Sequence, residues 1–316
     1  MGEVDRSPLR LSGWGTALPE KVVTNVDLEA SLDTSDEWIV ERTGIRERRI
    51  GGTTSGLAID AGRDALARAG ASAADIDLVL LCTSTPDAAM PATASTVQHE
   101  LGITGGAFDL NAACSGFVYG LVAADGHLRA GARRVLLIGA ETMSRIVDWD
   151  DRGTAILFGD GGGAVVLERA DDGAGPGGLL GWDLGSDGSL RHILHAETGG
   201  TIHMDGPEVF RRAVRVMVDS ATRALERAGI GPDDLTLFVP HQANARIIAS
   251  ACAKLGIDED RTAGNLARFG NTSAASIPLA LAESADAGRL QPGDRLLLIG
   301  FGAGMTWASA VLEWSA

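Results

Sequence analysis

The second half of the chain repeats the first. Asp64-Ala65-Leu66-Ala67-Arg68-Ala69-Gly70, followed by Asp75 and Leu78-Val79-Leu80, returns as Arg223-Ala224-Leu225-Glu226-Arg227-Ala228-Gly229, followed by Asp234 and Leu237-Phe238-Val239. Arg134-Val135-Leu136-Leu137-Ile138-Gly139 likewise returns as Arg295-Leu296-Leu297-Leu298-Ile299-Gly300. These offsets are 159 and 161, half of a 316-residue chain, whereas Val166-Leu167-Glu168 returns as Val311-Leu312-Glu313 after 145 and is weaker support. Echoes that keep their order at half the chain length mark an internal duplication. Helices alternate with short apolar strands in each half, so each half is a mixed sheet covered on both faces. Two such halves in contact give an α/β/α/β/α layering, with the site where they meet. The polar, Gly-rich stretch 170–178 sets the boundary, giving halves of 1–172 and 173–316.

Forty-two glycines against 4% aromatic residues mean an interior of Ala, Leu, Val and Ile with close backbone approaches. The net charge of −15 excludes a general nucleic-acid binder but not a local basic patch. Cys82, Cys114 and Cys252 form neither a CxxC pair nor a disulfide framework, the usage of a reducing cytosol. With no run of 18 apolar residues and no signal-peptide pattern, the expectation is a cytoplasmic protein away from membranes. The scattered cysteines, and histidines 192, 195 and 203 in what reads as a loop, argue against a metal site.

Locally, Thr24 to Glu29, Thr34 to Ile45, Thr53 to Gly70 and Thr93 to Leu101 read as helices. Leu9 to Trp14, Leu78 to Thr83, Arg134 to Gly139, Thr154 to Phe158 and Gly163 to Leu167 read as strands. Arg46, Arg48 and Arg49 read as a solvated helix end, and Asp160 as the brace of a glycine-rich turn.

The chemistry gathers at three element ends. Cys114 lies between a strand ending at Leu110 and a helix carrying Phe117, Leu121, Val122 and Leu128. Unpaired N–H groups at a helix start favour a thiolate and lower a cysteine pKa, although a buried core cysteine fits the local stretch as well. In the second half, a strand runs straight into His241-Gln242-Ala243-Asn244, and Gly270-Asn271-Thr272-Ser273 opens the helix that corresponds by order to the Cys114 element. Cys, His and Asn are the residues of a hydrolase triad. They also suit decarboxylative carbon–carbon bond formation, in which a thiolate carries an acyl group and neutral donors face an enolate oxygen. Gly300-Phe301-Gly302-Ala303-Gly304-Met305-Thr306 matches neither phosphate-binding nor dinucleotide spacing. It offers either a backbone N–H to an oxyanion or a turn needed for packing.

Four stretches, in order, resemble the hallmarks of the beta-ketoacyl-acyl-carrier-protein synthase III family, within the thiolase superfamily. They are Thr34-Ser35-Asp36-Glu37-Trp38-Ile39, Asn111-Ala112-Ala113-Cys114-Ser115-Gly116-Phe117, Pro240-His241-Gln242-Ala243-Asn244 and Gly270-Asn271-Thr272-Ser273-Ala274-Ala275-Ser276. The resemblance spans essentially the whole chain and implies an α/β protein with the thiolase-like five-layered fold. It implies an acyltransferase that starts fatty-acid or polyketide chains by condensing an acyl-CoA primer with malonyl-acyl-carrier-protein, releasing CoA and carbon dioxide. By the same resemblance Cys114 takes the acyl group, and His241 and Asn271 promote decarboxylation. The backbone N–H groups of Cys114 and Ala303 form the oxyanion hole. Trp38 and Arg152 hold the CoA adenine, with Arg42 near its phosphates, and Thr34, Phe210, Ala243 and Asn244 line the pantetheine channel. Arg211, Arg246 and Lys254 receive the acidic carrier protein. The implied assembly is a homodimer without a resident cofactor or metal.

Two departures bear on substrate choice. Met90 stands where some members place a phenylalanine in the partner subunit's acyl pocket, and a pliable methionine is expected to admit branched or longer primers. The segment from Gly185 to Met204 is shorter than is usual in the family. That shortening suits an alternative, a relative in a specialised pathway that passes its acyl group to another acceptor without decarboxylation.

Overall fold

The computed structural model describes residues 7–170 and 175–316, so the expected boundary at 172/173 lies outside the described residues. The first sheet has five strands in the order Leu9–Ala17, Asp160–Arg169, Arg134–Thr142, Leu78–Cys82 and Gly106–Leu110. The first two pairings are antiparallel and the last two parallel. The second sheet repeats this plan with Gly178–Ser186, Thr306–Glu313, Arg295–Gly302 and Leu237–Pro240. A fifth strand is reduced there to a single parallel bridge between Phe238 and Thr262.

The duplication holds at the level of register. Arg134 lies opposite Glu168 in one half, and Arg295 opposite Glu313 in the other. The shorter echo at 145 residues therefore falls on matching strands. It is shorter because these two strands are joined by residues 303–305 in the second half and by 143–159 in the first.

Five layers result. Helix Thr54–Ala69 covers the outer face of the first sheet and Gly206–Ala228 that of the second, while Gly116–Arg129 and Ser276–Asp286 lie between the sheets. The central layer packs Phe117, Leu121 and Leu128 with Ile277 and Leu281 against apolar strand residues from both halves. The outer helices sit unusually close. A Cβ on Gly13 would stand 2.5 Å from the Ala65 carbonyl oxygen, and one on its counterpart Gly181 would stand 2.4 Å from that of Ala224. Glycine at both positions is what lets an alanine-faced helix settle on the sheet.

Most helix expectations match observed elements. Helix Asp36–Thr43 is capped by the Ser35 side chain and closed by Gly44 in the left-handed region, as capping chemistry requires. Three local expectations need correction. Thr154 to Phe158 is no strand: Arg152–Ala155 forms a short helix, initiated by the Asp151 carboxylate, which accepts the Gly153 N–H. Residues 192–203 are more than a loop, because Leu194–Ala196 and Ile202–Met204 pair as an antiparallel ribbon with His195 opposite His203. Arg48, read as solvated, is 0% exposed. Its guanidinium donates to Asn25 Oδ1 at 2.9 Å and to the carbonyls of Ile156 and Val23 at 2.7 and 3.2 Å. Three converging acceptors explain a buried cation, and burial lowers its pKa to about 10. No described helix is long and apolar enough to cross a membrane.

Candidate active site

Two matching turns, one from each half, build the site. Asn111 Oδ1 accepts the Ala113 N–H at 3.1 Å, and Asn271 Oδ1 accepts the Ser273 N–H at 2.9 Å. Both acceptors bend the chain into the left-handed region, with φ of 48° at Ala113 and 49° at Ser273. Backbone strain of this kind, held at two places by the same side-chain contact, marks positions where geometry matters more than local stability. Helix Gly116–Arg129 follows the first turn and Ser276–Asp286 the second.

Each turn rests on a glycine of the opposite half. A Cβ on Gly300 would stand 2.8 Å from the Cys114 carbonyl oxygen, and one on Gly139 would stand 2.3 Å from that of Ala274. Gly302 likewise leaves only 2.6 Å to the Cys114 nitrogen. The glycines at 300 and 302 thus belong to strand Arg295–Gly302 and serve packing. The tip beyond them, Ala303 and Gly304, lines a second cavity with Cys114, Asn111 and Thr306. Thr306 Oγ1 ties this tip to the Cys114 turn, 2.9 Å from both the Ala112 carbonyl oxygen and Ser115 Oγ.

Cys114, His241 and Asn271 line one cavity of about 480 Å³. All three are nearly buried, at 9%, 1% and 7% exposure. His241 follows strand Leu237–Pro240, and its ring packs edge-on against Phe301 at 5.7 Å. Its Nδ1 lies 2.6 Å from Ser276 Oγ, which also accepts the Gln242 N–H at 3.3 Å. A hydroxyl proton donated from Ser276 to Nδ1 pairs with the tautomer that carries the ring proton on Nε2. Burial drives the imidazole pKa down to about 3, so the ring is neutral. With Asn271 Oδ1 engaged by Ser273, its NH₂ end is left for the cavity.

The thiol behaves differently from the expectation at a helix start. Burial pushes Cys114 up to about 12, and the charge of Glu141 acts in the same direction. The Ser273 side chain acts in the opposite direction, and its hydroxyl also donates to Glu141 Oε1 at 2.9 Å. Desolvation of the anion outweighs the favourable helix start.

The remaining predicted residues divide. Trp38, Arg42, Phe210, Arg211, Ala243, Asn244 and Arg246 line the Cys114 cavity, whereas Thr34, Arg152, Lys254 and Met90 stand off its wall. The Arg42 and Arg152 guanidiniums lie 4.6 and 4.7 Å from the Trp38 ring centroid, so the pair expected to hold adenine is stacked on itself. Asn244 caps helix Ala245–Leu255, accepting from Arg246 N–H and donating to the Arg42 carbonyl, both at 2.9 Å. Met90 is 83% exposed. Sequence reasoning missed Glu141, Ser273, Ser276 and Phe301. An acid ending the apolar run Leu136-Leu137-Ile138-Gly139-Ala140 was the one legible signal among them.

Comparison with known proteins gives a consistent picture. The description "3-Oxoacyl-[acyl-carrier-protein (ACP)] synthase III" matches residues 108–188, and "3-Oxoacyl-[acyl-carrier-protein (ACP)] synthase III C terminal" matches residues 225–314. The beta-ketoacyl-[acyl-carrier-protein] synthase III of Roseiflexus castenholzii is 51% identical, over 97% of this chain and 98% of its own. That of Bradyrhizobium diazoefficiens is 52% identical, over 96% and 97%. The crystal structure of the 3-oxoacyl-[acyl-carrier-protein] synthase III of Aquifex aeolicus superposes with a TM-score of 0.94 at 45% identity, over 97% of this chain and 100% of that one.

Proposed function

The chain belongs to the 3-oxoacyl-[acyl-carrier-protein] synthase III family of the thiolase superfamily and condenses an acyl-CoA with malonyl-acyl-carrier-protein to initiate fatty-acid synthesis, and we propose that Cys114, His241 and Asn271 carry out this reaction. One observation bears most of the weight. The three converge from both halves on a single cavity whose described lining includes three arginines and no carboxylate.

The chemistry follows from that lining. The Cys114 sulfur attacks the acyl-CoA thioester carbonyl, whose oxyanion is received by the backbone N–H groups of Cys114 and Ala303. CoA leaves, and the acyl group stays on sulfur. Malonyl-carrier-protein then enters, and loss of carbon dioxide leaves an enolate. His241 Nε2–H and the Asn271 NH₂ are neutral donors that stabilise its oxygen, where a carboxylate would repel it. The enolate carbon attacks the acyl-Cys114 carbonyl and returns the thiol. Substrates and side chains supply every reacting group, so no resident cofactor is required.

Arg42, Arg211 and Arg246 line the cavity, and Lys254 is exposed on the same helix as Arg246. This local positive field, in a chain of net charge −15, suits CoA phosphates and an acidic carrier protein. Trp38, Arg152 and Thr34 extend the CoA path along the surface, with Phe210, Ala243 and Asn244 beside the pantetheine arm. The open edge strand Gly106–Leu110, with Phe108 38% exposed, supports a homodimer formed by edge pairing. Met90 would then reach the partner's acyl cavity. Three free cysteines fit a cytoplasmic setting.

The test is intact-mass analysis after exposure to a panel of acyl-CoAs and then to malonyl-carrier-protein. One acyl group should appear, be absent in Cys114→Ala, and discharge as a 3-oxoacyl-carrier-protein. An acyl group that persists with malonyl-carrier-protein present would favour transfer to another acceptor instead.

A further inference from the structure

The two turns that meet at the site are tied to the sheets by different residues. The register that aligns Arg134 with Arg295 also aligns Glu141, opposite Gly161, with Gly302, opposite Thr306. On the Cys114 side the tie comes from Thr306, whose Oγ1 reaches the Ala112 carbonyl oxygen and Ser115 Oγ. Gly302 meets that turn directly, since a Cβ on it would stand 2.9 Å from the Ala113 Cβ. On the Asn271 side the roles are exchanged. Gly161 holds the place of Thr306, and the tie comes from Glu141, whose Oε1 accepts from Ser273 Oγ at 2.9 Å. Ser273 is the counterpart of Ala113, and its N–H donates to Asn271 Oδ1 at 2.9 Å.

Glu141 has no part in the steps above, yet it is 0% exposed. Its place is fixed by residues that follow the neighbouring strand Leu78–Cys82. Oε2 accepts from Thr83 Oγ1 at 3.0 Å, Thr85 N at 3.0 Å and Thr85 Oγ1 at 2.5 Å. Ser84 N–H is shared between the two oxygens. Both oxygens therefore serve as acceptors, a role that glutamine, with one oxygen and one NH₂, cannot copy.

We propose that Glu141 is a positioning residue: through Ser273 it pins the Asn271 turn to the first sheet, and so fixes where the Asn271 carboxamide meets the enolate oxygen. Ser273 is held at a φ of 49°, a conformation that a non-glycine residue keeps only where its surroundings enforce it. Without the anchor, the Ser273 N–H and the Asn271 side chain that it holds shift together. A longer link runs from Glu141 through Ser84, whose Oγ donates to Asn111 Oδ1 at 3.2 Å. The carboxylate thus grips the Asn271 turn directly and the Cys114 turn only at one remove, so its loss falls first on decarboxylation.

The inference rests on Asn271 stabilising the enolate, and the two can be tested apart. Cys114 of the full chain is acylated with acetyl-CoA and the acylated fraction counted by intact mass. Single-turnover release of carbon dioxide from malonyl-carrier-protein is then timed per acylated molecule, so that misfolded protein does not enter the rate. Ser273→Ala should slow release about tenfold, as a shift of about half an ångström implies, while acylation stays within about twofold of the parent. It places alanine where the other half already holds Ala113 at nearly the same φ, so the result does not hang on a Glu141 variant folding. Folded Glu141→Gln should slow release by a similar factor. Adding it to Ser273→Ala should slow release by less than about threefold more, because the link is already cut. Release within about twofold of the parent in Ser273→Ala or in folded Glu141→Gln overturns the proposal. So does acylation slowed as much as release in Ser273→Ala, or a double variant whose losses multiply in full. Release that is unchanged in Asn271→Ala would instead overturn the role of Asn271, and the inference with it.

Discussion

Replacing Gly300 with alanine puts a methyl group 2.8 Å from the Cys114 carbonyl oxygen and 2.9 Å from Ser115 Cα, where ordinary contact begins at 3.4 Å. Both neighbours are backbone atoms of the turn that carries the nucleophile, so no side chain can swing away. The turn has to retreat by roughly half an ångström, and overpacking of this kind costs about 1–3 kcal/mol of stability. A misplacement of about 1 Å at a reacting group costs about a hundredfold in rate, so half of that predicts a roughly tenfold fall in Cys114 acylation. Single-turnover mass spectrometry with acetyl-CoA reads the acylation, urea denaturation reads the stability, and decarboxylation of malonyl-carrier-protein is followed separately. Gly139→Ala serves as the mirror experiment, because its methyl would press on the Asn271–Ser273 turn and should weigh on decarboxylation instead. Acylation by Gly300→Ala within twofold of the parent, with stability unchanged, would refute the idea that this glycine sets the nucleophile's position. Equal slowing of both half-reactions by both variants would refute the division of labour between the turns.

Two further outcomes follow from buried charges. Arg48→Leu strands acceptors at Val23, Asn25 and Ile156 and should cost about 3 kcal/mol in urea denaturation. Arg48→Lys should recover little of it, since a single ammonium cannot span the fork, and near-full recovery would contradict this account. The His241 imidazole has a pKa of about 3 when folded, against an ordinary 6.5. The unfolded chain therefore binds more protons between these values. The stability conferred by the neutral ring is complete above about pH 6.5 and is lost as pH falls towards 3. Urea unfolding at pH 7.5 and 5.0 should show a larger loss for the parent than for His241→Gln, and equal losses would contradict the assignment.

Much of this was legible in the sequence because the duplication is written in strongly patterned segments. The echoes ending at Gly70 and Gly229 fall on helices with the same left-handed glycine caps. The apolar runs at 134–139 and 295–300 fall on matching strands. Cys114, His241 and Asn271 could be singled out as candidates because each sits at the end of such an element. What escaped notice depends on contacts between distant segments. The fate of Arg48 is decided by acceptors at residues 23, 25 and 156, which no local window contains. The thiol's proton affinity is decided by burial and by an acid 27 positions further along the chain, not by the helix start beside it. Ser273 and Ser276 were legible only as members of the stretch 270–276, and their partners are what give them roles.

The single bridge at Thr262, where the first half has a whole strand, has a consequence for how many copies can join. Had both halves kept their fifth strand, each molecule would carry two like sticky borders, related by its own internal symmetry. Molecules could then dock border to border in succession, and nothing in that geometry would oblige the series to stop. Residue 262 offers no ladder for a neighbour to extend, and the border of that half falls instead on the short, buried strand Leu237–Pro240. A union made through the surviving border, Gly106–Leu110, uses up the same border on both participants and is complete at two.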